Sequence, residues 1–167
     1  MDIFVLERIV KELKEMILEA TVRNIYSLPD NTVAIELIKK EEHIYLILSA
    51  SSQFPRVYLD NDLPFKSTRS SFSNTLNTQL ENTRVVSIEQ VPSERIVEFT
   101  FERFTPWREI ERREVIVEIM GKHSNIILCR EDTIIDVIKR IDSTKSRVRQ
   151  VLPRLRYEYP PRKDAPP

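Results

Sequence analysis

Few side chains in this 167-residue sequence have the types or the spacing that catalysis or metal binding requires. The two histidines, His43 and His123, and the one cysteine, Cys129, lie far apart and match no zinc or haem spacing. Cys129 lies in the apolar run IILC, which favours a small core residue over a nucleophile. One glycine cannot build a glycine-rich phosphate loop. The sequence therefore predicts no metal site, no cofactor and no hydrolytic or redox machinery.

The single glycine marks the most informative short segment. Gly121 lies in VEIMGKHSNIIL, whereas an average chain of this length contains roughly a dozen glycines. Because apolar runs lie on both sides, GKHSN is predicted to be a hairpin loop in which Gly121 has a positive φ angle. Such a loop would present four polar side chains together for contact with a phosphate or a base: Lys122, His123, Ser124 and Asn125.

Basic residues are concentrated near the carboxyl end of a chain that is neutral as a whole, with 26 Lys and Arg against 26 Asp and Glu. Between residues 139 and 163, nine basic residues stand against two acids, Asp142 and Glu158. Such a segment can bind a polyanion, or it can be a solvated end, and the composition leaves both open. The nine are Lys139, Arg140, Lys145, Arg147, Arg149, Arg154, Arg156, Arg162 and Lys163.

Hydrophobic periodicity indicates two helices and a set of strands that must position these groups. Apolar residues over 6–17 recur every three or four positions, with Asp2 as the cap, and SFSNTLNTQL predicts a shorter helix capped by Ser70 or Ser71. The other apolar segments alternate with period two, and Pro55 assigns SSQFPRVYL to an edge or a bend. We expect an α+β fold with about eight mainly antiparallel strands, as a β-sandwich or a strongly curved sheet.

The sequence also limits where the protein is expected to work. It contains no run of 18 apolar residues, so no transmembrane helix is predicted. The amino terminus has charges spread through it and no small-residue cleavage site, which argues against a secretory signal. A single cysteine excludes an internal disulfide framework. These features favour a cytoplasmic protein that does not contact a membrane.

Several blocks of the sequence together resemble the NFACT family. VEIMGKHSNIIL is similar to the family signature Met-Gly-Lys/Arg-His-Ser-Asn followed by an aliphatic run, and LILSASSQFPRVYL to its Leu-Ser-Ala…Pro-Arg segment. RVVSIEQVPSERIVEFTF resembles the segment with the Asp-Arg motif, and SRVRQVLPRLRYEYPP the strap that closes the first domain. The resemblance implies an NFACT N-terminal domain over residues 1–158 and a proline-rich linker over 159–167 that leads to further modules.

The resemblance implies a role in ribosome-associated quality control. Members of this family bind large ribosomal subunits obstructed by a peptidyl-tRNA. They recruit tRNA, alanyl-tRNA in bacteria, so that a C-terminal tail is added without messenger RNA. The expected role of this domain is to bind tRNA and the ribosome rather than to catalyse. The alternative, from an older description of bacterial members, is a surface adhesin that binds fibronectin or fibrinogen. The lack of a signal, an anchor and repeats opposes it.

The family's N-terminal domain also looks like the N-terminal half of the formamidopyrimidine-type DNA glycosylases. Those enzymes attack with an amino-terminal proline that is exposed after methionine removal. This chain has Asp2 and Ile3 at the corresponding places. Without a proline amine there is no Schiff-base nucleophile. The resemblance therefore implies the fold without the DNA-repair reaction, and we expect the protein not to be an enzyme.

Two family motifs assign candidate binding residues by resemblance. The Asp-Arg pair falls on Glu94 and Arg95, so the acid here is one methylene longer, and Glu-Ile-Met falls intact on Glu118, Ile119 and Met120. On a strand starting at Glu94, alternation would point Glu94 and Arg95 to opposite faces. Each charge could form a structural ion pair or contact RNA, and the resemblance favours contact. The turn and the basic segment complete the predicted tRNA- or ribosome-binding set: Lys122, His123, Ser124, Asn125, Arg147 and Arg149.

Overall fold

The computed structural model describes residues 1–63 and 66–161. Residues 162–167, which include most of the predicted linker together with Arg162 and Lys163, lie outside the described part, so the predicted boundary at residue 158 stays a prediction. The elements are α1 (Ile3–Ile17), β1 (Thr21–Leu28), β2 (Thr32–Lys39), β3 (Glu42–Ser49), β4 (Arg56–Asp60), α2 (Ser71–Leu80), β5 (Arg84–Gln90), β6 (Ile96–Phe104), β7 (Ile110–Glu118), β8 (Asn125–Arg130) and β9 (Thr133–Val137).

The nine strands of the described residues form one antiparallel sheet in the order β4-β3-β2-β1-β5-β6-β7-β8-β9. Consecutive strands pair with each other except β4 and β5. β5 pairs with β1 instead, through Thr21 and Arg84. β3 approaches β8, and both halves of the sheet enclose one core. The prediction of an α+β fold with a curved antiparallel sheet is confirmed. β4 is an edge strand, as Pro55 predicted.

The two helices pack on the core face of this sheet. α1 buries Leu6, Val10, Leu13 and Ile17, whereas Met16 of the same predicted stripe is 53% exposed. The Asp2 carboxylate accepts a hydrogen bond from Val5 N at 2.8 Å as the N-cap. α2 begins with a capping box at Ser70. The Asn77 side chain then ties α2 to β1, because it bonds both the N–H and the carbonyl of Ile25. Both predicted helices are confirmed.

A second apolar cluster lies apart from the main core and is covered by the chain after β9. Residues 139–161, here called the strap, run back over β7, β8 and β9, as the predicted extended strap requires. Val151 is buried in this cluster together with Ile116 and Ile127. The strap is held by backbone bonds, including those between Ile141 and Val151. The strap therefore belongs to the folded domain, and it carries those residues of the basic segment that the structure describes.

The turn between β7 and β8 contains the only glycine of the chain. Gly121 has φ +56° and begins a short 3₁₀ turn that ends at His123. The predicted positive φ angle is therefore confirmed. Twelve other described residues also have positive φ, and none of them is β-branched. A Cβ atom added at Gly121 would meet nothing within 4 Å, so only the backbone conformation restricts the residue here.

We expect Gly121→Val to lower the free energy of unfolding by about 1–3 kcal/mol, because a β-branched residue is strained at positive φ. Gly121→Asn is the matched control, since asparagine tolerates this region and there is space for its side chain. Urea unfolding of both variants measures the difference. Equal stabilities for the valine and asparagine variants would contradict the assignment of backbone strain to this turn.

Candidate nucleic-acid interface

Three segments that are distant in sequence meet around a groove of about 430 Å³. They are the turn between β5 and β6, the turn after β7, and the strap. Five residues of the predicted binding set line the groove: Glu94, Arg95, Met120, His123 and Arg149. The structure thus brings together motifs that lie up to 55 positions apart in the chain.

The Glu94–Arg95 pair lies in the turn that precedes β6 rather than on the strand. β6 begins at Ile96, and Ser93 has φ +61° inside the turn. The predicted alternation of the pair on a strand is therefore wrong, because the chain is still reversing direction at these residues. Both residues are half-buried at the groove.

Backbone hydrogen bonds fix this turn against its neighbours. The Arg95 carbonyl accepts from Ile119 N at 2.8 Å, and the Glu94 carbonyl accepts from Gln90 Nε2 at 2.8 Å. Among the residues that the structure describes, no hydrogen bond or ion pair engages the Arg95 guanidinium. The turn thus places a carboxylate and a guanidinium at the groove.

Glu118 is buried at the end of β7, with 1% of its surface exposed. Its carboxylate forms a bidentate ion pair with the Arg149 guanidinium, in which one contact measures 3.1 Å. The Tyr157 hydroxyl donates to the same carboxylate at 2.7 Å. Arg149 also donates from Nε to the Glu158 carbonyl, and its guanidinium lies over the Tyr157 ring. Glu118 therefore anchors the strap, which is the structural alternative considered for it.

The side chains of this anchor are largely buried, with 1% of Glu118 and 14% of Arg149 exposed. Burial is the main cause that raises the pKa of Tyr157 well above its ordinary value, and the negative charge of Glu118 is the second. The Tyr157 hydroxyl therefore remains a donor. Tyr159 continues the contact, because its hydroxyl donates to Glu98 at 2.7 Å and its ring meets that of Tyr157 edge-on. That hydrogen bond is the main cause, and burial the second, that together raise the pKa of Tyr159 to about 12.

The turn after β7 presents only two of the four polar side chains assigned to it. Lys122 and His123 are exposed, but Ser124 and Asn125 are fully buried. The prediction that all four are presented together is therefore wrong. The Ser124 hydroxyl accepts from Met120 N and donates to the Gly121 carbonyl, which closes the turn.

Two further residues of the predicted binding set, Asn125 and Ile119, stabilise the fold and do not line the groove. The Asn125 side chain bonds both the N–H and the carbonyl of Lys139, at 3.0 and 2.9 Å, so it joins the start of β8 to the start of the strap. Ile119 is buried in the main core. Met120 is half-buried and lies at the groove, so of the Glu-Ile-Met motif only its last residue reaches the surface.

The strap adds one cation to the groove, Lys145, that was not in the predicted binding set. Lys145 and Ser146 line it, and Arg147 is exposed on the same segment. Lys145 was counted in the basic segment, but composition alone could not select it from nine basic residues. Guanidinium and ammonium groups beside a polar groove are the donors that bind phosphate oxygens.

The remaining candidate groups have no catalytic arrangement in the described residues. Cys129 is buried in the second apolar cluster, which confirms its assignment as a core residue, and burial raises the pKa of its thiol to about 12. Within residues 1–63 and 66–161 no group of three or more His, Cys, Asp or Glu side chains is placed to hold a metal ion. No helix in this part of the chain has the length and apolar character to cross a membrane.

The fold defines the class of the protein, because solved N-terminal domains share the same architecture. The N-terminal domain of fibronectin-binding protein PavA from Streptococcus pneumoniae superposes with a TM-score of 0.85 at 30% identity, covering 95% of this chain and 61% of that one. The N-terminal part of the fibronectin/fibrinogen-binding protein of Streptococcus suis gives 0.87 at 29% identity, covering 96% and 61%.

The particular family follows from the sequence. Residues 2–167 match the family model described as NFACT N-terminal and middle domains, and the chain belongs to the NFACT family. It is 31% identical over 163 residues to the Rqc2 homolog RqcH of Streptococcus pneumoniae, covering 96% of this chain and 30% of that protein. The corresponding protein of Bacillus subtilis is 31% identical over 156 residues, covering 92% and 27%. The chain thus spans less than a third of the length of these relatives.

We expect Glu118→Ala to lower the free energy of unfolding by about 3–5 kcal/mol, because it leaves the Arg149 guanidinium half-enclosed without its counter-charge. Glu89→Ala is the matched control, since Glu89 pairs with Lys14 at 3.2 Å on the surface and should contribute about 0–1 kcal/mol. A double-mutant cycle with Arg149→Ala, followed by urea unfolding, measures the coupling. Additive losses in that cycle would contradict the anchoring role.

Proposed function

We propose that this chain is the tRNA- and ribosome-contacting domain of a ribosome-associated quality-control factor that acts in the cytoplasm. The observation that carries the proposal is the groove in which Arg95 and Lys145 meet from separate segments, with Arg149, paired to Glu118, in its wall. Membership of the NFACT family and the name of the curated relatives, Rqc2 homolog RqcH, support this setting. The expected partners are tRNA, alanyl-tRNA in bacteria, and the large ribosomal subunit with its peptidyl-tRNA.

The chemistry of the groove suits a phosphate backbone. Arg95 offers a planar fork of donors, and the exposed Lys145 ammonium lies on the opposite segment. Arg149 is already engaged by Glu118, so it stiffens the strap wall rather than supplying a free charge. Because the whole chain is neutral, any polyanion must be recognised by such a local cluster. Lys122 and Arg147 extend the positive surface beside the groove.

The domain is proposed to bind rather than to catalyse. Asp2 stands where the related glycosylases carry their proline nucleophile, and its carboxylate caps α1 by accepting from Val5 N. The amino terminus is thus used to begin a helix. Tail synthesis would then depend on the ribosome, with this domain helping to position tRNA. The proposed contacts are Glu94, Arg95, Met120, Lys122, His123, Lys145 and Arg147.

Fibronectin and fibrinogen binding is named for the solved relatives and is not favoured for this chain, because a cationic groove suits phosphate. Cell fractionation of the full-length protein separates the two functions. Cosedimentation with large ribosomal subunits is expected, whereas display at the cell surface without ribosome association would refute the proposal.

We expect Arg95→Ala to weaken tRNA binding about tenfold and to reduce the slope of log affinity against log salt by about 1, because one phosphate contact is lost. Arg95→Lys should keep that slope, since it keeps the charge. Arg84→Ala is the control, because Arg84 pairs with Glu19 near the other end of β5. If both Arg95 variants bind tRNA normally but melt early, Arg95 is a structural residue of the groove rim.

In the full-length protein, we expect the double change Glu94→Ala and Arg95→Ala to abolish tail synthesis while cosedimentation with large subunits persists. The reason is that the change removes the groove's tRNA contact and leaves the sheet, the strap and the Glu118 anchor intact. Tail length on a stalled reporter measures the effect. Normal tails from the folded double variant would show that this turn has no part in positioning tRNA.

A further inference from the structure

The tip of the β6–β7 hairpin is the most exposed apolar feature of the described residues. Trp107 has 82% of its surface exposed. Phe104 and Ile110, which face each other across the two strands just below it, are 67% and 56% exposed. Apolar side chains that are exposed as one contiguous patch, rather than singly, often mark a binding site.

The turn that carries Trp107 is held by several hydrogen bonds. Thr105 N donates to the Glu109 carbonyl at 2.8 Å, and Arg108 N donates to the Thr105 carbonyl at 2.9 Å. The Thr105 hydroxyl accepts from the backbone N–H groups of Trp107 and Glu109. Arg108 adopts φ +63° to complete the reversal. The backbone that projects the indole is therefore fixed before any partner arrives.

Charged side chains of both signs surround this tip. Residues 102–114 contain four arginines and four glutamates. Arg103 is held by Glu111, and Arg112 by Glu102, so these two border the tip as ion pairs. Arg108 is exposed, and its guanidinium has no hydrogen bond or ion pair with another of the described residues. An indole next to an available guanidinium is the combination that proteins use to stack a base and hold its phosphate.

The size of the patch argues for a nucleotide over a protein surface. Aromatic side chains bury about 150–250 Å² each, so three such side chains supply about 750 Å² at most, and Trp107, Phe104 and Ile110 supply less because each is already partly covered. A stable protein interface needs about 800 Å² per partner. One unpaired base needs only the face of the indole.

We propose that Trp107 and Arg108 form a second RNA contact, in which the indole stacks on an unpaired base and the guanidinium binds the adjacent phosphate. The inference rests on the proposed function only in taking RNA as the partner. β6 separates the tip from the groove by eight residue steps, about 26 Å along the strand. The two contacts therefore engage different nucleotides, either on one RNA that follows the β6–β7 hairpin or on two RNAs.

Trp107 is the only tryptophan of the chain, so its fluorescence reports this contact alone. A short single-stranded oligoadenylate should quench the emission of the 167-residue protein, and a blunt RNA duplex of equal length should not. Trp107→Leu should weaken oligoadenylate binding roughly 5- to 100-fold. The anisotropy of the labelled RNA measures this change in affinity. Trp107→Phe, which keeps an aromatic face, should retain most of the affinity.

Each failure has a distinct meaning. Unchanged emission at RNA concentrations that saturate the anisotropy signal would refute the stacking contact, as would full affinity in Trp107→Leu. A blue shift of the emission that depends on protein concentration without RNA, with dimers in sedimentation, would assign the tip to a second copy of the chain and also refute it. If Arg95→Ala abolishes the response of the labelled RNA while the tryptophan is never quenched, the groove proposal stands and this one falls. If RNA quenches the tryptophan and Arg95→Ala has no effect on RNA binding, the tip contact stands and the groove proposal falls.

Discussion

The buried pair of Glu118 and Arg149 is the interaction on which the surface of this domain depends. A carboxylate with no access to water is stable only if charge and hydrogen bonds replace its hydration. Here a bidentate guanidinium and the Tyr157 hydroxyl do so, and both come from the strap. The strap is consequently held over the second apolar cluster, in which Val151 is buried together with Ile116 and Ile127.

The same pair builds the groove. With Arg149 fixed, the strap forms one wall and places Lys145 opposite the turn that holds Arg95. That turn is itself fixed to the end of β7 through the bond from Ile119 N to the Arg95 carbonyl. Two residues of the Glu-Ile-Met motif thus act from inside the protein, since Glu118 holds the strap and Ile119 N holds the turn of Arg95. Only Met120 reaches the groove.

The β6–β7 hairpin links the two exposed features of the domain. At one end its strands border the groove, and at the other end they present Trp107 on a turn fixed by the Thr105 hydroxyl. Between these ends, cross-strand pairs run from Ile96 with Glu118 to Phe104 with Ile110. A hairpin with so continuous a register behaves as a stiff spacer, so the distance between the two features is set by the number of residues in the strands.

The sequence by itself determined the elements of this protein, and the tertiary structure decided which of its polar residues remain available. Helices, strands, the positive φ of Gly121 and the edge position of β4 depend on neighbours a few residues away, so periodicity and turn chemistry were sufficient to predict them. Family motifs selected Glu118, but not its partner 31 positions later. Strand alternation misplaced Glu94 and Arg95 because it cannot show where the β5–β6 turn ends and β6 begins. It also could not show that the Asn125 side chain is hydrogen-bonded to the backbone of Lys139, 14 positions away. Such pairings form only when the sheet has curved and the strap has closed, so no local pattern encodes them.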